Sequence, residues 1–428
     1  MYISYVNLEK EQKKDLDYKI LTAVNAIREA FKVCRHRAAV AFSAGKDSTV
    51  LWHLIKNHFP EYSAKMAIVY GNTGVEYPEC IKFARYLAKE WGGSNFHEAK
   101  PGKTDKEGLR YNAQREVLEY LIQEGRVDEV LKDDGKLKAT KTLESACPKH
   151  LYEKFKREKL IWPAGTRKSY WWCVDQYGWP ILGKARSKLK ARRINIDCFL
   201  RFSKSQSEDP KLLAYYDLLR QVKFSQACCD ILKKEPSERV QAELDIDVIF
   251  KGLMAAESRP RQINFITRGY LFKSHRPHLG GKYGDPFWHS NPISIWTDND
   301  IWEYIRRFNV PYASLYDMGW KDKSGKFHKI KRNGCMGCAT DLLFPNNHMA
   351  MLRRTHPKAW SVYMRRGMAA EIQKVRIAKQ NGQPSIFDVY EAKELLQLRP
   401  CIFDRVDHLV LEDDTYCEDE NMFDPEIS

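Results

Sequence analysis

Ser43, Lys46, Asp47 and Ser48 fall within six residues at the end of a short apolar run, Ala38-Ala39-Val40-Ala41-Phe42-Ser43-Ala44-Gly45-Lys46-Asp47-Ser48-Thr49-Val50-Leu51. The run has strand character, breaks at a turn of small residues and restarts as a helix, in which Val50, Leu51, Leu54 and Ile55 repeat at helical spacing. A turn of this kind aims free backbone N–H groups and the positive end of a helix dipole at one point, which suits a phosphate. Ser43 and Ser48 add hydroxyls and Lys46 a mobile cation, and the small side chains at Ala44 and Gly45 let a phosphate approach the backbone. On spacing alone, an ordinary strand-to-helix turn stays open as the alternative.

Four cysteines form the second constellation. Cys335-Met336-Gly337-Cys338 is a turn that sets two thiolates toward one metal centre, and the adjacent Cys228 and Cys229 can supply another pair. Four thiolates suit either zinc or a four-iron cluster. Zinc usually takes two Cys-x-x-Cys knuckles, whereas neighbouring side chains of an adjacent pair diverge, which favours the cluster. Lys326, Lys329, Lys331 and Arg332 stand close enough in sequence to offset thiolate charge.

The elements that must hold these residues read as a βαβ alternation. A charged amphipathic helix over about 8–36 carries Ile20, Leu21, Val24, Ile27 and Phe31 on one face. Met66 to Tyr70 reads as a buried parallel strand, followed by Gly71 to Glu79 with Pro78 suited to open a helix. Asn95 to Ala99 reads as a third, short strand, and residues 101–170 as a charged helical or mobile insertion that includes Lys132 to Lys136. Trp171, Trp172 and Trp179 cluster around Cys173. The basic stretch Lys184 to Arg193 fits a solvated face or a nucleic-acid contact. Asp245 to Phe250 reads as another strand ending at Lys251 and Gly252, with Glu257, Ser258, Arg259 and Arg261 beyond it. Pro292 to Trp296 reads as a last strand, and Thr297 with Asp300 as the cap of a helix carrying Ile301, Trp302 and Ile305. The remainder is helix-rich, with basic pairs Arg353-Arg354 and Arg365-Arg366, and the end is acidic around Glu412 to Asp414 and Glu418 to Glu420. The expected organisation is an N-terminal helix over 1–36, a nucleotide-binding domain over 37–310, a cluster-bearing helical region over 311–400 and an acidic tail over 401–428. Loops at the carboxyl ends of such strands are where ligands bind.

Bulk properties set the limits. A chain of 428 residues with 43% hydrophobic content supports a sizeable core, and no apolar run approaches a membrane span, so no membrane partner is expected. Met1 to Tyr5, followed by a charged helix, does not read as a signal peptide, and a cytoplasmic protein is expected. Eleven cysteines in that setting point to metal or redox chemistry rather than a disulfide framework. A net charge of +15 fits an anionic partner such as a nucleic acid, and equally a generally basic enzyme.

Ser43-Ala44-Gly45-Lys46-Asp47-Ser48 resembles the Ser-Gly-Gly-x-Asp-Ser pyrophosphate loop of N-type ATP pyrophosphatases, with Ala44 in place of the first glycine. Asn72-Thr73-Gly74-Val75-Glu76-Tyr77-Pro78-Glu79 resembles the Asp-Thr-Gly-x-x-Phe-Pro-Glu segment of the PAPS reductase and ATP sulfurylase small-subunit superfamily. Gly252, Glu257, Ser258 and Arg261 resemble its Gly-x-Arg-x-x-Glu-Ser-x-x-Arg segment, with Met254 where the first arginine is expected. Pro292, Trp296, Asp300, Ile301, Trp302 and Tyr304 resemble a further block, and a Cys-Cys pair followed after 105 residues by Cys-x-x-Cys resembles the four-iron motif of adenylylsulfate reductases. The resemblance covers roughly 35–340. It implies an α/β fold of the PP-loop (HUP) type, a doubly wound and mostly parallel sheet with helices on both faces, plus a helix-rich C-terminal region. It implies that Ser43, Ala44, Gly45, Lys46, Asp47, Ser48, Asn72, Thr73, Gly74, Glu76, Gly252, Glu257 and Ser258 bind nucleotide, that Lys46, Asp47 and Arg261 are catalytic, and that Cys228, Cys229, Cys335 and Cys338 hold a 4Fe-4S cluster.

Within that superfamily, reductases resemble this chain in the cluster motif but carry a Ser-x-Gly-Ala-Glu-Asp loop and a C-terminal Glu-Cys-Gly-(Leu/Ile)-His nucleophile. This chain keeps Lys46-Asp47-Ser48, and its late cysteines, Cys401 and Cys417, match no such segment. The sulfurylase small subunit keeps the loop and lacks the cluster. Loop and cluster together are most similar to the DNA phosphorothioation pyrophosphatases of the Dnd and Ssp type. The resemblance implies ATP cleavage with Mg²⁺ on the pyrophosphate, adenylation of a DNA or other nucleic-acid acceptor, and sulfur delivered as persulfide from a cysteine desulfurase. Sulfonucleotide reduction (PAPS or APS) is the alternative, and a nucleotide-binding regulator without turnover is a third, on account of Met254. Cys80, Cys173, Cys198 and Cys417 are candidate persulfide carriers, each also readable as a buried structural cysteine.

Overall fold

The computed structural model describes residues 5–130, 142–180, 227–279, 286–321, 325–339 and 348–369. Two compact units divide the chain: Met1–Pro101 with Leu232–Gly334, and Gly102–Ile231 with Cys335–Ser428. Lys132 to Lys136, the basic stretch Lys184 to Arg193, Cys198, Cys401, Cys417 and the acidic segments from Glu412 onward lie outside the described residues.

The first unit runs α1 (Tyr5–Gln12), α2 (Leu16–Lys32), β1 (Arg37–Phe42), α3 (Lys46–His58), β2 (Ala67–Gly71), α4 (Pro78–Leu87) and β3 (Phe96–Ala99). It resumes with α5 (Glu235–Glu243), β4 (Ile246–Lys251), α6 (Arg259–Arg268), β5 (Leu271–Ser274), β6 (Phe287–Ser290) and α7 (Asp298–Phe308). The six strands form one sheet in the order β3-β2-β1-β4-β6-β5. Every neighbouring pair is parallel except β5 with β6, so the sheet is mostly parallel with an antiparallel edge. A strand covered on both faces must be apolar throughout, and Ala38, Ala39, Val40 and Phe42 are all buried. Ile249 joins Val240 of α5 in one core layer. On the opposite face, Phe250 meets Phe31 of α2 with ring centroids 5.1 Å apart. Helices therefore lie on both faces, giving a doubly wound α/β fold.

Three sequence expectations need correction. The helix expected over 8–36 is two helices, because Asp15 stops the first and caps the second, its side chain accepting from the Tyr18 N–H at 2.8 Å. Leu21, expected on the apolar face, is 60% exposed, while Lys19 is buried there against Asp300. Pro292 to Trp296 is a turn, not a strand. The strand is β6 just before it; Ile293, Ile295 and Trp296 are apolar because they plug the core from the turn. The helix after Thr297 does form, with a capping box between Thr297 and Asp300.

The second unit is largely helical in its described part. Helices Tyr111–Gln123, Leu143–Ala146 and Lys149–Arg157 enclose Leu118, Leu121, Leu143 and Phe155, and helices Tyr170–Tyr177, His348–Thr355 and Pro357–Tyr363 follow. Among the described residues no helix is long and apolar enough to cross a membrane.

Candidate functional site

Adjacent parallel strands β2, β1 and β4 each end in one of the segments singled out from the sequence: Gly71 to Glu76, Ser43 to Ser48, and Gly252 to Arg261. From β1 the chain passes to β2 on one side, and β4 lies on the other. That reversal opens a crevice at the carboxyl ends of the strands, where ligands bind in open α/β sheets.

The β1–α3 turn is held from several sides. Ala44 takes a left-handed backbone conformation with φ +54°, which a glycine would adopt without strain. The Ser43 N–H donates to Ser48 Oγ at 3.3 Å, and the Ser48 and Thr49 hydroxyls both donate to the Gly45 carbonyl at 2.9 Å. Asn333 Nδ2 donates to the Ser43 carbonyl at 2.8 Å, and a side chain on Gly45 would press on Asn333. Of the first-turn donors of α3, the Lys46 N–H donates to the Tyr316 hydroxyl at 3.2 Å. The Asp47 and Ser48 N–H groups have no hydrogen-bond partner among the described residues, leaving two donors and the helix dipole for an anion.

Lys46 is almost fully buried. Its ammonium sits 2.8 Å from Asp47 Oδ1 and 2.7 Å from Asp298 Oδ1, and 5.9 Å above the Tyr316 ring. Its charge is thus held between two carboxylates rather than projecting from the turn. Burial, followed by the Asp47 charge, pushes the Tyr316 phenol up, so its hydroxyl stays protonated.

The β2 loop closes on itself. Glu76 Oε1 accepts from the Thr73 N–H at 2.9 Å and its hydroxyl at 2.5 Å, while the Gly74 N–H donates to Glu76 Oε2 and Asn72 Oδ1. Gly74 has φ +80°, as this turn requires. After β4, Gly252 packs directly on the first turn of α3. The Glu257 carboxylate accepts from the Met254 N–H at 3.0 Å and from Arg332 at 2.7 Å, and pairs with Arg261. Burial and the nearby Arg332 lower the proton affinity of the Arg261 guanidinium, while Asp47 opposes them. Two guanidinium groups thus share one carboxylate beside the Asp47 turn.

Several of these partners carried no signal in the sequence. Tyr316 and Asp298 belong to no motif, and Asn333 stands in a plain polar segment two residues before Cys335. Arg332, read as a counter-charge to the cysteines, is bound to Glu257.

The four cysteines all belong to the second unit. Hydrogen bonding to Cys229, then burial, then the charges of Cys229, Cys173 and Cys335 push the Cys228 thiol up. Tyr170 is buried at the same place, its phenol pushed up by burial, Tyr363 and the charges of Cys228, Cys338 and Cys335. The Tyr170 hydroxyl donates to the Gly337 carbonyl at 2.6 Å, and a Cβ on Gly337 would come within 2.5 Å of the ring, so the Cys335–Cys338 turn is moulded on Tyr170. Among the described residues no three His, Cys, Asp or Glu side chains converge closely enough for one metal ion. Cys228, Cys335 and Cys338 are thus close enough to Tyr170 for their charges to act on it. Cys80 and Cys173, the candidate carriers within the described residues, are each 1% exposed, and burial pushes the Cys80 thiol up to about 12.

A model of the phosphoadenosine phosphosulfate reductase domain matches residues 37–147 and 182–341, more than half of the chain. The chain belongs to this family. Relatives include the phosphoadenosine 5'-phosphosulfate reductase of Xanthomonas axonopodis pv. citri (strain 306), 31% identical over 105 residues, 24% of this chain and 36% of that protein. The enzyme of the same name from Xylella fastidiosa (strain M23) is 32% identical over 89 residues, 21% of this chain and 31% of that one. The family member described here thus matches about a third of the length of these curated relatives. A solved PAPS reductase from Candida auris, in complex with phosphate, has a TM-score of 0.32 and 13% identity, covering 75% of this chain and 95% of that one.

Proposed function

We propose that this family member is an ATP pyrophosphatase that activates an acceptor by adenylation for sulfur transfer, the acceptor being DNA. The observation that carries the reading is the β1–α3 turn, where the Asp47 and Ser48 N–H groups are available beside Arg261 and Arg332. An acceptor oxygen attacks the α-phosphorus of ATP, the bond to the β-phosphate oxygen breaks, and pyrophosphate leaves. The free N–H groups and the α3 dipole stabilise the charge that develops on it. Lys46 holds Asp47 and Asp298 at fixed positions, and these carboxylates would hold Mg²⁺, which supplies charge neutralisation on the phosphate oxygens when bound. The terminal sulfur of a cysteine desulfurase's persulfide then attacks the adenylated acceptor, AMP departs, and a thiol attacks the remaining S–S bond, forming a disulfide and leaving the sulfur on the acceptor. Cys228, Cys229, Cys335 and Cys338 would hold a 4Fe-4S cluster, which supplies an electrostatic or structural centre when bound.

Pyrophosphate release from ATP tests the reading: wild type should release it and Lys46→Ala should not. Release of sulfite from PAPS or APS with a thiol donor, without ATP turnover, would overturn it. Sulfonucleotide reduction is the second reading, and the names of the relatives above favour it.

A further inference from the structure

The peptide between Ser43 and Ala44 is held at one edge only. A trans peptide carries its carbonyl and its N–H on opposite edges. The Ser43 carbonyl accepts from Asn333 Nδ2 at 2.8 Å and from no other donor among the described residues. The Ala44 N–H has no partner among them. The other bonds of the β1–α3 turn use other groups: the Ser43 N–H on Ser48 Oγ, the Gly45 N–H on Ser43 Oγ, and the Ser48 and Thr49 hydroxyls on the Gly45 carbonyl. None of them is made by the atoms of the Ser43–Ala44 peptide.

That peptide also has a reason to turn over. Ala44 sits at φ +54°, in the left-handed region that an L-residue enters only at a cost. Reversing the peptide changes Ser43 ψ and Ala44 φ by about 180° and takes Ala44 to a φ of about −126°, in the broad β region. Reversal therefore relieves the strain, and the Asn333 bond opposes it. The chemical effect is large. The Ser43 oxygen takes the direction of the Ala44 N–H, so the turn loses a free donor and gains an acceptor, which repels an anion. A glycine at this position, as in the pyrophosphate-loop pattern, enters both settings alike. Ala44 does not, and this is what makes the Asn333 tie necessary.

Asn333 is brought to the turn by its neighbours. Lys331 to Gly334 has no regular secondary structure, so side chains and flanking residues place it. The Ile330 N–H donates to the Met318 carbonyl at 3.1 Å, and Arg332 bonds Glu257 at 2.7 Å. The Asn333 backbone bonds the Tyr316 hydroxyl, which also accepts from the Lys46 N–H. Gly45 leaves the room: a Cβ there would lie 2.9 Å from Asn333 Oδ1. We infer that Asn333 is a positioning residue, which locks the Ser43–Ala44 peptide in its strained setting and so keeps the turn able to accept a phosphate. The inference rests on the reading of this turn as the pyrophosphate site.

Two measurements on the full chain test it. Crystal structures of unliganded Asn333→Ala and Asn333→Leu read the peptide directly: the Ser43 carbonyl should be reversed and Ala44 should have a negative φ in both. A peptide left as in wild type would overturn the inference. Isothermal titration with inorganic pyrophosphate reads the consequence. Asn333→Ala should weaken binding by about tenfold, the factor set by the strain at Ala44. In the Ala44→Gly background the same change should cost about twofold or less. Equal losses in the two backgrounds would make Asn333 a general support and overturn the inference. Asn333→Leu keeps the side-chain volume and removes the donor, so it should match Asn333→Ala; wild-type binding in Asn333→Leu would count against the lock. Wild-type protein that binds no pyrophosphate would sink the ATP reading, and the crystal structures would still decide whether Asn333 sets the peptide.

Discussion

Gly252 and Asp47 meet backbone to backbone: a methyl group on Gly252 would lie 2.8 Å from the Asp47 carbonyl oxygen and 2.9 Å from the Ser48 nitrogen. Neither contact can swing away as a flexible side chain would. Gly252→Ala should therefore push α3 off the end of β4, destabilising the protein by about 1–3 kcal/mol. Isothermal titration with ATP should show affinity falling by more than the melting temperature alone explains.

Ala44 invites the opposite substitution. Its φ of +54° costs an L-residue about 1–2 kcal/mol. Ala44→Gly removes that strain and gives back part of it as unfolded-state entropy. Urea denaturation should show a net gain of about 1 kcal/mol, and no gain would mean that the turn is not strained.

Lys19 and Asp300 form a buried ion pair at 2.7 Å, and Asp300 also accepts from the N–H and hydroxyl of Thr297. Asp300→Ala strands the Lys19 ammonium in the core and removes the α7 cap. The expected loss is about 3–5 kcal/mol in chemical denaturation. Combining it with Lys19→Met should recover part of that loss, since an apolar pair leaves no orphan charge.

His289 gives the acid limb of stability a definite sign. Its folded value, about 3, lies below the ordinary imidazole value of 6.5. Between these values the unfolded chain binds the proton and the folded one does not, so stability is full above pH 6.5 and falls as pH drops toward 3. His289→Phe keeps the stack with Phe272 and should flatten the melting temperature over that window. An unchanged acid limb would show that other groups control it.

Cys228→Ser, or Cys335→Ser, should bleach a brown purified protein and lower its bound iron. A colourless wild type carrying zinc would sink the cluster. Gly337→Ala should act similarly though it removes no thiol, because its Cβ would collide with Tyr170 and Tyr363.

The strands of the parallel core and the β1–α3 turn were legible because burial on both faces leaves only apolar residues and the turn leaves only small ones. The antiparallel edge was not, since Leu271 to Ser274 is too short and mixed to show a period. Pro292 to Trp296 misled because a buried turn selects the same apolar residues as a strand. Within the site, Gly252 and Glu257 were readable from a motif, whereas Tyr316, Asp298 and Asn333 act through single contacts that follow no spacing. Lys46 was found, but its two carboxylate partners show it fixed in place, which sequence pattern has no way to convey.

The strand pairing of β1 with β4 also sets an order of assembly. Residues 102–231, which belong to the other unit, separate the two halves of the crevice along the chain. Closing so long a loop is slow compared with pairing β1 to β2. A chain emerging as far as β3 already has the turn and α3, yet lacks Gly252 beneath Asp47 and Asn333 over Ser43. The crevice is finished only when nearly the whole first unit is in place, so no shorter fragment presents it complete.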